Sequence, residues 1–265
     1  YALDAYVQKI NGYVEAGQHP QAVEAGQKFL EEVDGDKFEV LYLTTWSSFY
    51  SQQYDLAIRY GEKAYSTKPD APQLEQILAR SYLNTGNTAK AVEFGEKFCD
   101  ETNASECYDL LPAMMRHHVE QKDWSTAAKW ADLTIKAFNN VEKPAGVSES
   151  EWQEFAAEEK SVAYSVLGRN AYETKNFAAA AKNYQTARDM SPSNQTRGAE
   201  GYYYEGMSLW NQEQLDPAME MFAKCSCLEG NPYEETCRKR LEELYRGTHN
   251  GSLAGLDEFL ERACP

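Results

Sequence analysis

One eight-residue phrase is written three times in this chain. AVEAGQKF (Ala22 to Phe29), AIRYGEKA (Ala57 to Ala64) and AVEFGEKF (Ala91 to Phe98) begin 35 and then 34 residues apart. Each follows a second apolar-periodic stretch and a short turn, as in YVEAGQHP, FYSQQYDL and YLNTGNTA. A period of about 34 residues made of two amphipathic helices predicts a helical solenoid, whose units bury their apolar faces only by stacking on one another. Contacts in such an array run between neighbouring repeats, so the 265 residues are expected to form one continuous stack rather than separate globular cores.

The small residue that opens each second helix aligns the units at Ala22, Ala57, Ala91, Ala127, Ala180 and Ala218, with Ala254 as a weaker seventh. Around these anchors the chain resembles the tetratricopeptide repeat family. The fifth unit carries the pattern most fully, with Leu167, Gly168, Phe177, Ala180, Tyr184, Ala187 and Pro192. The sixth supplies Gly206, Leu215, Ala218 and Phe222, the second Tyr54, Ala57, Ala64 and Pro69, and the fourth Trp124 and Ala127. The resemblance implies an all-α, right-handed α-solenoid of six to seven helix pairs with a C-terminal capping pair. Residues 1–140 hold the N-terminal repeats, 141–150 an insertion or bend, and 151–265 the C-terminal repeats and cap. Within the insertion, Pro144, Ala145 and Gly146 break the helix, and Ser148 followed by Glu151 reads as a capping box that starts a long helix. Where the family places an aromatic late in the second helix, the first three units have Gly26, Gly61 and Gly95. Glycine there costs about 1 kcal/mol relative to alanine. Three in register predict a large side chain or a helix pressed close to the backbone; a relic of duplication is the alternative.

The formal charge of −16 disfavours nucleic acid and anionic membrane surfaces, and points to neutral or basic partners. No apolar run is long enough to span a bilayer. The chain starts at Tyr1 rather than methionine, which suggests a leader removed or left out. Cys99, Cys107, Cys225, Cys227, Cys237 and Cys264 make an even count that suits an oxidising compartment. Their placement favours the bridges Cys99–Cys107, Cys227–Cys237 and Cys225–Cys264. Reduced core cysteines, and a metal site on the last four, remain as alternatives. These features together point to an exported, periplasmic or cell-envelope protein, with a cytoplasmic location as the alternative.

No catalytic or phosphate-binding motif is present, and His117 and His118 point about 100° apart on a helix, so neither an enzyme, a cofactor nor a metal is expected. In the family, the first helices of successive units line a concave groove that holds extended or helical segments. Carried over, the groove positions are Tyr42, Trp46, Phe49 and Tyr50; Gln76, Arg80 and Asn84; Arg116 and Glu120; Arg169, Tyr172 and Glu173; and Tyr203, Met207, Trp210 and Asn211. Aromatic anchors with interleaved arginines suit a peptide. The family's clamp for chaperone tails is disfavoured, because only Asn11 matches it, with Val7, Leu43, Gln73 and Ile77 at the other places. The expected function is a non-catalytic scaffold or adaptor that holds a protein or peptide, with oligomeric state open. Two rivals remain: an envelope protein that binds glycans or small ligands, and a structural subunit of an envelope assembly.

Overall fold

The computed structural model describes residues 2–32, 37–71, 73–192 and 194–264. Among them the chain is all-α, with fourteen α-helices and one 3₁₀ turn (Ala104–Cys107). It divides into two compact units, one of Tyr1–Asn103 with Asp109–His117, the other of Ala104–Tyr108 with His118–Pro265.

The first unit holds α1 (Ala2–Glu15), α2 (His19–Glu32), α3 (Phe38–Tyr50), α4 (Tyr54–Thr67), α5 (Leu74–Asn84), α6 (Thr88–Phe98) and most of α7 (Leu111–Glu120). Consecutive helices pack on each other, and α3 also touches α1 and α5, so first helices neighbour first helices. The second unit holds α8 (Trp124–Asn140), α9 (Glu149–Glu173), α10 (Phe177–Met190), α11 (Gln195–Asn211), α12 (Leu215–Ser226), α13 (Glu234–Thr248) and α14 (Leu256–Ala263). Here too α9 reaches α11 past α10. The Ser148–Glu151 capping box is formed and starts α9, which runs for 25 residues.

The repeat is written in the turns as clearly as in the anchors. Gly17, Gln52, Gly86, Lys122, Lys175 and Glu213 all have positive φ, between 59° and 80°. At each, the following amide donates back to the carbonyl five residues earlier, as in Gln53 N to Ser48 O (2.8 Å) and Asn176 N to Ala171 O (2.8 Å). This is the left-handed helix stop that satisfies the last carbonyls. The residue after it then precedes the second helix; Asn87, Asp123 and Asn176 cap that helix with their side chains.

The anchors Ala22, Ala57, Ala127, Ala180 and Ala218 are fully buried, as crossing helices require. The glycines in register have a packing cause. A Cβ on Gly61 would lie 2.8 Å from Leu78 Cδ2, one on Gly95 would lie 2.9 Å from Met114 Sδ, and one on Gly26 would collide with Thr44. In each case the intruder stands on a first helix. In the second unit the sizes are exchanged. Gly168 and Gly206 on first helices face the rings of Tyr184 and Phe222 on second helices, each 2.8 Å from a would-be Cβ.

All the cysteines are disulfide-bonded, Cys99 and Cys107 among them. In the last repeats the pairing is Cys225–Cys237 and Cys227–Cys264, not the expected Cys227–Cys237 and Cys225–Cys264. Burial explains the exchange. Cys225, inside α12, and Cys237, on α13, are both fully buried in one core with Phe222 and Leu241. Two residues further on, Cys227 lies at the end of α12 and is only half-buried, as is Cys264 just past α14, so these two meet at the edge of that core.

Candidate functional site

Two aromatic faces gather the residues expected in a groove, one in each unit. In the first, α3 projects Trp46 and Tyr50 one turn apart, with ring centroids 4.1 Å from each other. His19, at the start of α2, closes on both at 5.2 and 5.5 Å. Tyr50 is 53% exposed and stands out as the unit's uncovered large ring, while Phe49 turns its edge to Tyr50 and Tyr54. Tyr42 packs on Phe38, and its burial raises the phenol pKa. Arg80 does not offer a free guanidinium. Its Nε donates to Asp109 Oδ2 at 2.7 Å and its NH2 to Oδ1 at 3.0 Å, a bidentate pair that fixes the side chain against the segment before α7. Asn84 donates to the Arg80 carbonyl. Gln76 is half-buried on α5, and Arg116 and Glu120 are exposed on α7.

The second face is richer in charge. Arg169, on α9, donates from Nε to Glu173 Oε1 at 2.7 Å and from NH1 to the Tyr204 hydroxyl, and its guanidinium lies over the rings of Trp124 and Tyr204 at 4.9 and 4.6 Å. Tyr172 meets Tyr204 edge-on at 5.5 Å, and Tyr203 stacks on Tyr233 at 5.1 Å. One turn further along α11, Met207 and Trp210 pack on the core of the last repeats. The Trp210 ring meets Phe222 and carries the Arg240 guanidinium at 5.7 Å. Asn211 donates back to the Met207 carbonyl. The structure therefore brings Arg169, Tyr172, Glu173 and Tyr203 together around Tyr204, with Met207 and Trp210 on the continuing strip of α11.

Four participants escaped the sequence reading. Tyr204, in the run Tyr202–Tyr204, is the hub. Tyr233 comes from the loop before α13, and Tyr184 stacks beneath Tyr204 at 5.3 Å from a helix outside the groove positions. Tyr184 is wholly buried, and its hydroxyl has no hydrogen-bond partner among the described residues. Glu200, one turn before Tyr204 on α11, is the fourth. Its helical spacing to Tyr203 and Tyr204 was the available signal. Burial raises the Glu200 pKa, against the pull of Arg197 and Arg169. Burial, together with the Glu200 charge, pushes up the Tyr233 phenol and raises Tyr184 well above its ordinary value.

With six equivalent left-handed turns, buried alanine anchors and first helices neighbouring first helices within each unit, the architecture is decided. The chain is an all-α array of stacked helix pairs. Solved structures similar to the chain include MamA (the RS-1 ArsTM double mutant), 18% identical over 72% of this chain and 94% of that one, with a TM-score of 0.46. Pseudomonas aeruginosa pilF is 15% identical over 89% and 96%, with a TM-score of 0.43. A tetratricopeptide repeat protein from Parabacteroides merdae is 13% identical over 91% and 98%, with a TM-score of 0.40. No protein-family model matches the chain. No curated protein matches it either. Among the described residues no helix is long and apolar enough to cross a membrane, and no cluster of His, Cys, Asp or Glu could hold a metal ion.

Proposed function

We propose that this chain is a non-catalytic scaffold or adaptor, exported from the cytosol, that holds a segment of a protein partner on its aromatic first-helix faces. The observation that carries this reading is the α9–α11 face, where half-buried tyrosines present ring surface and phenol groups beside fixed charges. Large rings with a few oriented polar groups supply contact area at low entropic cost, the composition of a binding hot spot. The disulfide-bonded cysteines support an oxidising compartment. The acidic surface favours neutral or basic segments.

The test is selection of binders from a random peptide display library, followed by affinity measurement on Trp46→Ala and Trp210→Ala, each checked for unchanged helical circular dichroism. The expected result is a selected peptide whose affinity falls at least tenfold in one variant. A library that yields no binder, or binders indifferent to both substitutions, would count against a groove-binding scaffold.

A further inference from the structure

The second unit has a step beside its longest helix. α9 runs for 25 residues and its partner α10 for 14. Ser161 Oγ donates to the Ala187 carbonyl at 2.7 Å, so α10 ends level with the middle of α9 and the first turns of α9 overhang it. One side of the overhang is covered, because Trp152 and Ala156 join Phe138 in a small core of their own. The neighbouring strip of Glu151, Glu154, Phe155 and Glu158, at helical spacing, faces a cleft of about 990 Å³. Its far wall is Met190, Pro192 and the first residues of α11.

The cleft is preformed. Glu158 accepts from Ser191 Oγ at 2.6 Å and from Asn194 Nδ2 at 3.2 Å and pairs with Arg197, which ties α9 to the loop before α11 and to α11 itself. That carboxylate is neutralised by its arginine. Glu154 has no such partner among the described residues, and Glu151 accepts only from Ser148, so both leave negative charge at the mouth. Beside them the Phe155 ring is 46% exposed, one of two large apolar side chains left open among the described residues. Its ring rests against Phe138 at 5.6 Å and Trp152 at 5.9 Å, which holds it in place. A fixed ring flanked by carboxylates in a cleft of ligand size suits a cation on an apolar stem: the methylenes lie along the ring and the head reaches the carboxylates. Met190 and Pro192 offer apolar surface to the next side chain. A second copy of the chain suits this lining poorly, because its charge of −16 repels itself. We propose that the cleft is a docking site for a basic segment of a partner protein. An arginine or lysine lies on Phe155 beside Glu151 and Glu154, and an apolar neighbour packs on Met190 and Pro192. The site goes beyond the groove reading and stands without it. None of its lining residues is a groove position, and Phe155 lies roughly 20 Å before Arg169 along α9 at the α-helical rise.

The experiment measures, by isothermal titration at pH 7.5 and 150 mM salt, the binding of an N-acetylated peptide amide of alternating leucine and arginine. Its counterpart with citrulline in place of arginine is measured beside it. The proteins compared are wild type, Phe155→Ala, Glu154→Gln, Thr196→Trp, which plugs the cleft from an exposed place on its rim, Trp210→Ala, and the control Glu261→Gln, exposed on α14. The charged peptide should bind wild type at least tenfold more tightly than the citrulline form. Phe155→Ala and Thr196→Trp should each weaken it at least tenfold and Glu154→Gln at least threefold, with Trp210→Ala and Glu261→Gln changing it less than twofold. Loss of the peptide in Trp210→Ala, with Phe155→Ala and Thr196→Trp binding as wild type, would seat it in the groove and overturn the cleft. Equal weakening by the two glutamine variants would show diffuse attraction and overturn it too. So would a citrulline peptide that binds equally well, or a wild type that binds neither; a library-selected peptide sensitive to Trp210→Ala would leave the groove reading intact in every case. Sedimentation velocity tests the other occupant: a wild type that dimerises while Phe155→Ala stays monomeric would make it a second copy and overturn the basic segment. If Phe155→Ala does not melt as wild type does, Thr196→Trp, which leaves the ring in place, decides alone.

Discussion

The two units build the same helix pair with the sizes of the touching side chains exchanged. In the first, glycines on the second helices (Gly26, Gly61, Gly95) admit Thr44, Leu78 and Met114 from first helices. In the second, glycines on the first helices (Gly168, Gly206) admit Tyr184 and Phe222 from second helices. What a helix crossing needs is one small partner, and either helix can supply it. The exchange has a consequence for binding. Putting the large ring on α10 stacks Tyr184 under Tyr204, so a core side chain becomes the base of the α11 face. The first unit clusters Trp46, Tyr50 and His19, and its Arg80 is tied to Asp109. The second unit lays cations on its rings, Arg169 over Trp124 and Tyr204 and Arg240 over Trp210.

The sharpest break of this comparison is Gly168→Ala. The Tyr184 ring it would meet is wholly buried and cannot retreat, so a loss of about 2–3 kcal/mol is expected from denaturant titration. Gly95→Ala meets the sulfur end of Met114, a flexible side chain. Its strain should be offset by the roughly 1 kcal/mol gain in helix propensity, leaving stability near wild type. Equal losses in the two variants would mean that ring rigidity is not what separates the units.

Charge gives the next effect. The folded-state pKa of Glu200 is raised, so the folded protein holds its proton more tightly than the unfolded chain. Its contribution to stability is therefore full below the ordinary glutamate pKa of 4.5 and is lost as pH rises through the raised folded value. Glu200→Gln removes that loss, and a higher Tm at pH 7.5, with the gain vanishing near pH 4, is expected in thermal melts. A gain that does not change with pH would point to packing rather than charge.

The turns supply the smallest effect, and it should be alike in both units. Gln52 in one and Lys175 in the other hold the left-handed position that Gly17 and Gly86 fill without strain. Gln52→Gly and Lys175→Gly should each stabilise by about 0.5–1 kcal/mol. A marked difference between them would show that the two turns are not equivalent.

The fold was legible because its determinants are local and repeated. Alanine anchors, turn spacing and the Ser148–Glu151 cap each depend on residues within a few positions of one another, and repetition multiplies a weak motif. The in-register glycines could be read as marks of close approach, but not which side chain approaches. The site was half legible. Trp46, Arg169, Tyr172, Tyr203 and Trp210 came from the groove positions that the family resemblance implies, carried over repeat by repeat. The Arg80 pairing depends on Asp109 in an irregular segment, and Tyr233 arrives from a loop, so neither is encoded by periodicity. Tyr184 was read as a repeat-motif residue, and only the structure shows Tyr204 stacked over it. The disulfide exchange turned on burial two residues apart, which spacing does not report.

The most direct test of partner binding on the first-helix faces is a ring-selective NMR titration. Protein carrying isotope-labelled tyrosine and tryptophan would be titrated with a library-selected peptide. Saturable shifts of Trp46 and Tyr50 on α3 or of Tyr203 and Trp210 on α11, with Tyr54 and Tyr65 on α4 unmoved, are the predicted result. Shifts at Tyr54 and Tyr65 with the first-helix rings silent would contradict it.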